Sequence, residues 1–322
     1  MRKILLILLI ALIAHATYGQ IAFKTFYTKE GKETKNRNEA YYYRELSPLE
    51  NKLVNVTEKY IHTDKTKLIG TFNSFKDKKF VGQKFEGFEN GKLKAKEMFS
   101  NDGVLIDTAY YYHPNGKLKI AFHYPYTIEK NTTKVTDTLI LVYNDSLGKR
   151  HLANGNGYAK IEHRNSTIEK GNYKDHKRIG NWTGSFMDEK YRFEESYENG
   201  KLISGITKDS LNKEYAYDRS NFMVEPDYPG GINKLRQFIG QYYPFPQQAL
   251  RARVSGTVIV AFVINQEGNM VEMKVEEDLG YETGDAAMKV LQRAKKWTPG
   301  IMRGVPVRVM YHLPIRLDVS GR

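Results

Sequence analysis

Apolar and polar positions follow the clearest rhythm towards the end of the chain, from Glu225 to Val319. Gly256-Thr257-Val258-Ile259-Val260-Ala261-Phe262-Val263-Ile264 is a β-branched apolar run, and Asn265-Gln266-Glu267-Gly268 supplies turn residues after it. The returning segment alternates, with Val271, Met273 and Val275 on one face and Glu272, Lys274 and Glu276 on the other. This pattern predicts a hairpin whose first strand, apolar on both faces, lies at the centre of a sheet. Thr283-Gly284-Asp285 offers a helix start, and Ala286, Ala287, Val290, Leu291 and Ala294 recur at helical spacing until Trp297-Thr298-Pro299-Gly300. From Val305 the alternation resumes through Val307, Val309, Tyr311, Leu313, Ile315 and Leu317, which predicts one third strand. Ahead of these elements, Ile232, Leu235, Phe238 and Ile239 fit a short amphipathic helix.

Between about Lys59 and Gly205 the pattern is different. Asn90-Gly91-Lys92-Leu93, Asn115-Gly116-Lys117-Leu118 and Asn199-Gly200-Lys201-Leu202 share one turn signature, with Asn101-Asp102-Gly103-Val104-Leu105 as a looser copy. Asn-Gly favours tight hairpins because both residues accept positive φ. Aromatic alternating segments such as Tyr110-Tyr111-Tyr112 and Tyr191-Arg192-Phe193 lie between the turns and predict strands. Gly91, Gly103 and Gly116 recur about every dozen residues, one strand plus one turn, as in a stacked hairpin array. The interval from Pro125 to Ile168 departs from the repeat, with Thr136 to Tyr143 as a strand and Asn154-Gly155-Asn156-Gly157 as a turn. Alternate tyrosines either fill the array's own interior or form a face that grips a glycan or peptide.

The first twenty residues carry a basic tip (Arg2, Lys3) and an apolar stretch from Ile4 to Ala14 before Gly19. They predict a cleavable secretory signal, too short to span a bilayer comfortably, with an uncleaved anchor as the competing reading. The chain has 322 residues, no cysteine and a formal net charge of +13. Disulfides, thiolate metal sites and a cysteine nucleophile are therefore excluded. Lys and Arg are interleaved with Asp and Glu, as in Lys174-Asp175-His176-Lys177-Arg178, which describes a solvated face and no nucleic-acid tract.

Catalytic signatures are missing from the sequence. The histidines have no metal-ligand spacing, no Gly-x-Ser-x-Gly elbow occurs, and the acidic pairs Glu194-Glu195 and Glu276-Glu277 would point to opposite faces of a strand. No enzyme, metal or cofactor is expected. The final strand offers backbone chemistry instead. Pro306 and Pro314 have the same parity, so both are expected on the outer side of an edge strand, with Arg308, Met310 and His312 presenting free N–H and C=O groups between them. Such prolines either guard the edge against aggregation or frame a site where an extended peptide adds as a strand.

Tyr228-Pro229-Gly230-Gly231, Phe245-Pro246-Gln247-Gln248-Ala249, Gly256-Thr257-Val258, Gly268, Trp297-Thr298-Pro299-Gly300 and Gly304-Val305-Pro306-Val307 together resemble the C-terminal domain of the TonB family. Phe245 stands where that family usually has Tyr. The hairpin segments before it resemble a MORN-like repeat variant of bacterial envelope proteins. These resemblances imply an α+β chain: a signal peptide at 1–20, a β-rich MORN-like array at 21–224, and a TonB-type β-β-α-β domain with a three-stranded antiparallel sheet at 225–322. They further imply a periplasmic protein that binds an extended peptide of a TonB-dependent outer-membrane receptor, or of another envelope partner, beside its third strand. Arg308, Met310 and His312 are the partner-binding candidates, joined by Tyr242, Tyr243 and Phe245, which either sit beside the docked peptide or pack the lead-in. Inner-membrane motor proteins are implied only if the first twenty residues are retained as an anchor, and a homodimer through the edge stays open. A scaffold whose array binds glycan or peptide, and whose TonB-like domain serves assembly, is the alternative.

Overall fold

The computed structural model describes residues 23–163 and 165–318. The predicted signal segment lies outside them. The chain divides into two compact units, 1–157 and 158–322.

Strands dominate the first unit: β1 (Phe23–Tyr27), β2 (Glu33–Thr34), β3 (Tyr42–Pro48), β4 (Val54–Tyr60), β5 (Thr66–Phe72), β6 (Phe80–Gly87), β7 (Leu93–Phe99), β8 (Leu105–Tyr112), β9 (Leu118–Tyr124), β10 (Tyr126–Glu129), β11 (Thr132–Val135), β12 (Leu139–Asn144) and β13 (Arg150–Ala153). From β3 to β9 each strand pairs antiparallel with the next. β9 then pairs directly with β12, so β10 and β11 form a separate hairpin that loops out of the meander. One face is buried. On β4, Val54, Val56, Glu58 and Tyr60 are all under a tenth exposed, and the two valines pack with Leu68 and Phe72. Glu58 is tolerated there because Arg44 Nε, at 2.8 Å, and the Lys67 ammonium both serve its carboxylate.

The Asn-Gly turns stack on one another. Asn90 Nδ2 donates to the Pro114 carbonyl at 2.8 Å and Lys92 Nζ to the Asn115 carbonyl at 2.8 Å. One hairpin on, Asn115 Nδ2 donates to Ser146 O at 2.6 Å and Lys117 Nζ to Leu147 O at 2.7 Å. Lysines of the repeat thus donate to carbonyls of the neighbouring turn. Part of the basic charge is therefore structural.

The second unit continues with β14 (Asn156–Glu162), β15 (Ile168–Lys174), β16 (Lys177–Phe186), β17 (Tyr191–Glu198), β18 (Lys201–Lys208), β19 (Glu214–Tyr217) and β20 (Met223–Val224). Strands β15 to β19 are again a consecutive antiparallel meander. Trp182, Phe186, Tyr191, Phe193, Tyr197 and Tyr217 are buried in it, so these aromatics fill the interior. An αβ domain follows: α1 (Ile232–Tyr242), α2 (Gln247–Arg251), β21 (Gly256–Ile264), β22 (Met270–Glu277), α3 (Thr283–Leu291), β23 (Gly300–Met302), β24 (Val305–Val307) and β25 (Val309–Leu317).

The apolar run β21 is the central strand of an antiparallel sheet ordered β22, β21, β25. Val258, Val260, Phe262 and Ile264 on its inner face pack with Ala286, Ala287, Val290 and Leu291 of α3 and with Leu235 and Ile239 of α1. The helix start differs in detail from the sequence reading. Thr283 already lies inside α3, and Asp278 caps it from the preceding loop, accepting the Gly284 N–H at 2.9 Å and the Thr283 hydroxyl at 2.5 Å.

The expected single strand from Val305 to Leu317 is broken at Arg308. Val305–Val307 pairs with Gly300–Met302 as a hairpin, and β20 joins β23 to make a separate three-stranded sheet. A two-residue turn, Arg303 (φ +50) and Gly304 (φ +75), closes that hairpin. The parity of alternation survives the break, which is why periodicity alone reads straight through it. Val305 instead packs with Phe186, Tyr191 and Phe193 of the meander.

Candidate partner-binding edge

Strand β25 pairs with β21 along its whole length, from Val309 opposite Ile264 to Leu317 opposite Gly256. Its other side is the edge of the β22, β21, β25 sheet. Pro314, opposite Ile259, has no N–H to give, so this pair belongs to the non-hydrogen-bonded class and its backbone faces away from β21. By parity, Met310, His312 and Arg316 also turn their N–H and C=O groups outwards. Pro314 therefore sits within the free edge and interrupts it. Pro306, opposite Ile301, belongs to the other sheet. The two prolines consequently do not bracket one edge, and Arg308 lies between β24 and β25, outside both strands.

The side chains of these candidates share the open face of the sheet. Met310 is 64% exposed. Arg308 donates to Glu272 at 2.7 Å, and His312 Nδ1 meets Glu276 at 2.8 Å. β22 and β25 flank β21, so each pair reaches across the central strand, whose open-face residues Ala261 and Val263 are buried.

The lead-in candidates lie elsewhere. Tyr243 is buried on the core side and its hydroxyl donates to Thr283 O at 2.6 Å, tying the end of α1 to the start of α3. Burial first, then the Asp278 charge, pushes its phenol well above the usual range. Phe245 stacks edge-on against Tyr243 with ring centres 4.7 Å apart. Tyr242 is 42% exposed, with the Arg293 guanidinium 5.6 Å over its ring. Tyr243 thus stands on the core face, while Met310 and His312 stand on the open one.

Behind the edge, Trp297 meets Tyr228, Phe262 and Tyr311 at ring distances of 5.6, 6.0 and 5.1 Å. Tyr311, inside β25, donates its hydroxyl to Pro226 O at 3.2 Å. The lead-in before α1 is therefore bonded to the strand that carries the edge.

Residues 241–318 match the family of the Gram-negative bacterial TonB protein C-terminal. The match covers helix end, sheet and α3 of the αβ domain. Over 79 residues the chain is also 30% identical to Protein TonB of Vibrio cholerae serotype O1, covering 24% of this chain and 32% of that protein. The chain thus spans about a third of the length of that relative. Among the described residues, no helix of the TonB-like domain or of the strand meanders is long and apolar enough to cross a membrane.

One residue of the TonB-like domain escaped the sequence reading. Arg303, at the tip of the β23–β24 hairpin, is 4% exposed and bonded to Glu195 and Glu169 of the meander. Nothing in its sequence neighbourhood distinguishes it from a surface arginine in a turn. Of its partners, Glu195 is buried and Glu194 exposed, the opposite-face arrangement that strand parity predicts.

Proposed function

We propose that this is a periplasmic TonB-family protein, exported by its first twenty residues, that binds an extended peptide of an outer-membrane receptor by strand addition to the free edge of β25. The reading is non-catalytic. The observation that carries it is the outward-facing backbone at Met310, His312 and Arg316 on a strand already paired on its other side. The match of residues 241–318 to the TonB C-terminal family supports the same reading. Main-chain bonds from the three residues supply affinity, and the exposed Met310 and Arg316 side chains meet the partner's side chains on the open face.

A substitution of His312 by Pro tests this. The His312 N–H points away from β21, so its loss leaves the sheet's own ladder intact. Capture of receptors from detergent-solubilised outer membranes by the full chain is expected to fall about tenfold, as one or two main-chain bonds are lost. Undiminished capture at unchanged thermal stability would sink the proposal.

A second reading is an envelope scaffold with a MORN-like array that binds a glycan or peptide, its TonB-like domain serving assembly. The buried contact of Arg303 with the meander favours it, because a domain fastened in place suits assembly. Receptor capture that tolerates His312→Pro, together with glycan or peptide binding by the array, would select this reading.

A further inference from the structure

The β23–β24 hairpin ends in a two-residue turn with positive φ at both positions, Arg303 at +50 and Gly304 at +75. Turns of this kind favour Asn-Gly, and the chain uses that pair at Asn199-Gly200, with φ +49 and +80. At 303 an arginine occupies the place where asparagine is preferred, although a positive φ is uncommon for a residue with a long side chain. The reason lies in what the side chain meets. Arg303 Nε donates to Glu195 Oε1 at 2.8 Å and Nη2 to Glu169 Oε2 at 3.2 Å. Its guanidinium lies 3.9 Å over the Phe193 ring and 5.0 Å from that of Phe222.

The socket is fully used. Glu195 also accepts the hydroxyls of Tyr217 at 2.8 Å and Tyr197 at 3.0 Å. Glu169 also holds Arg178 and meets His163 at 3.0 Å. Backbone bonds fix the turn from both sides: Arg303 N–H donates to Phe222 O at 2.6 Å, and Thr207 donates its hydroxyl to Arg303 O at 2.9 Å. The next glycine is fitted closely, since a Cβ on Gly304 would stand 3.1 Å from Ala216 O.

We infer that this acidic and aromatic pocket on β15, β17 and β19 is a docking site for one arginine, and that Arg303 fills it to fasten the TonB-like domain onto the meander. Lysine would not substitute, because only a planar guanidinium reaches two carboxylates while lying flat on a ring. The hairpin, β20 and strands β15–β19 then move as one body with the TonB-like domain, and a pull on the domain reaches the meander through Arg303 as well as along the chain. The inference holds whatever binds at β25.

The test is hydrogen exchange on the full chain carrying Arg303→Asn with Glu195→Gln. Asparagine preserves the turn, and glutamine at 195 avoids leaving the carboxylate that Arg303 had paired buried without a cation, so the two changes together neither break the hairpin nor strand a charge. Exchange is expected to rise about tenfold or more in 214–224 and 300–307, with β21 and α3 unchanged, because local opening costs less than global unfolding. Unchanged exchange in both segments would overturn the inference, and so would an equal rise everywhere, which describes only a general loss of stability. If the double variant does not fold, Arg303→Lys is read by the same two segments and the same two contrary results.

Discussion

The Gly268 carbonyl accepts the Trp297 N–H at 2.8 Å, and a Cβ built on Gly268 would stand 1.9 Å from the Trp297 carbonyl oxygen. Gly268 also holds φ at +84. The tip of the β21–β22 hairpin is thereby seated against the segment that positions Trp297 behind β25. Gly268→Ala meets both backbone strain and a backbone clash, so a loss of about 3 kcal/mol is expected for the TonB-like domain. Denaturant unfolding followed by hydrogen exchange of β21 and α3 checks this, and a loss near zero would mean that the hairpin tip is not held as described.

Turn stacking predicts additive, modest effects. Asn115→Ala removes the bond to Ser146 O and the side-chain acceptor of the Lys117 N–H, at 2.6 and 3.0 Å. Both sites are exposed, so water replaces part of what is lost and the cost is expected at about 1 kcal/mol. The equivalent change Asn90→Ala is expected to match it, and thermal melts of the single and double variants would report the sum.

Acid should weaken the fold in a definite window. Burial alone pushes the Glu169 carboxyl up, but the His163 hydrogen bond and the Arg178 charge outweigh it and hold the group at about 2. Glu86 behaves alike: burial raises it, and Lys84 and Lys94 bring it to about 2. A depressed folded-state value stabilises above the ordinary 4.5 and loses that contribution as pH falls towards 2. Urea unfolding from pH 5 to pH 2 is therefore expected to show falling stability, with a shallower slope for Glu169→Gln. Equal slopes would remove Glu169 from the account.

The open-face ion pairs are expected to matter little for folding. Arg308 and Glu272 side chains are 48% and 63% exposed, and those of His312 and Glu276 are 53% and 39% exposed. Water screens such pairs, so a double-mutant cycle on either should return less than about 1 kcal/mol. A larger coupling would indicate that the pairs are shielded from water more than their exposure implies.

How much of this was legible follows from the range of the forces involved. The Gly256–Ile264 run announces the central strand because burial on both faces from Val260 to Ile264 leaves no place there for a polar residue. Asn-Gly pairs announce turns because positive φ is a local requirement. The break at Arg308 was not legible. Val305 and Val309 keep the same parity whether or not the strand continues, and only the pairing of 305–307 with 300–302 decides between them. The placement of Pro306 on another sheet follows from that pairing, and so does the loss of the expected two-proline frame around Arg308.

The sequence by itself determined the central strand β21, its alternating partner β22 and the Asn-Gly turns, since each depends on neighbours a few residues apart. It also favoured an edge position for Pro314, because a missing N–H is tolerated at edges, strand starts and bulges. The pairing of β25 with β21 alone decided that the edge is where it lies. Tertiary structure alone decided that Tyr243 packs inward, that Arg308 and His312 pair with Glu272 and Glu276, and that Arg303 is buried. Arg303 lies 108 residues from Glu195 and 134 from Glu169. No local pattern records a bond between residues so far apart, because the energy that makes it worthwhile exists only once the chain has brought an acidic, aromatic pocket around the guanidinium.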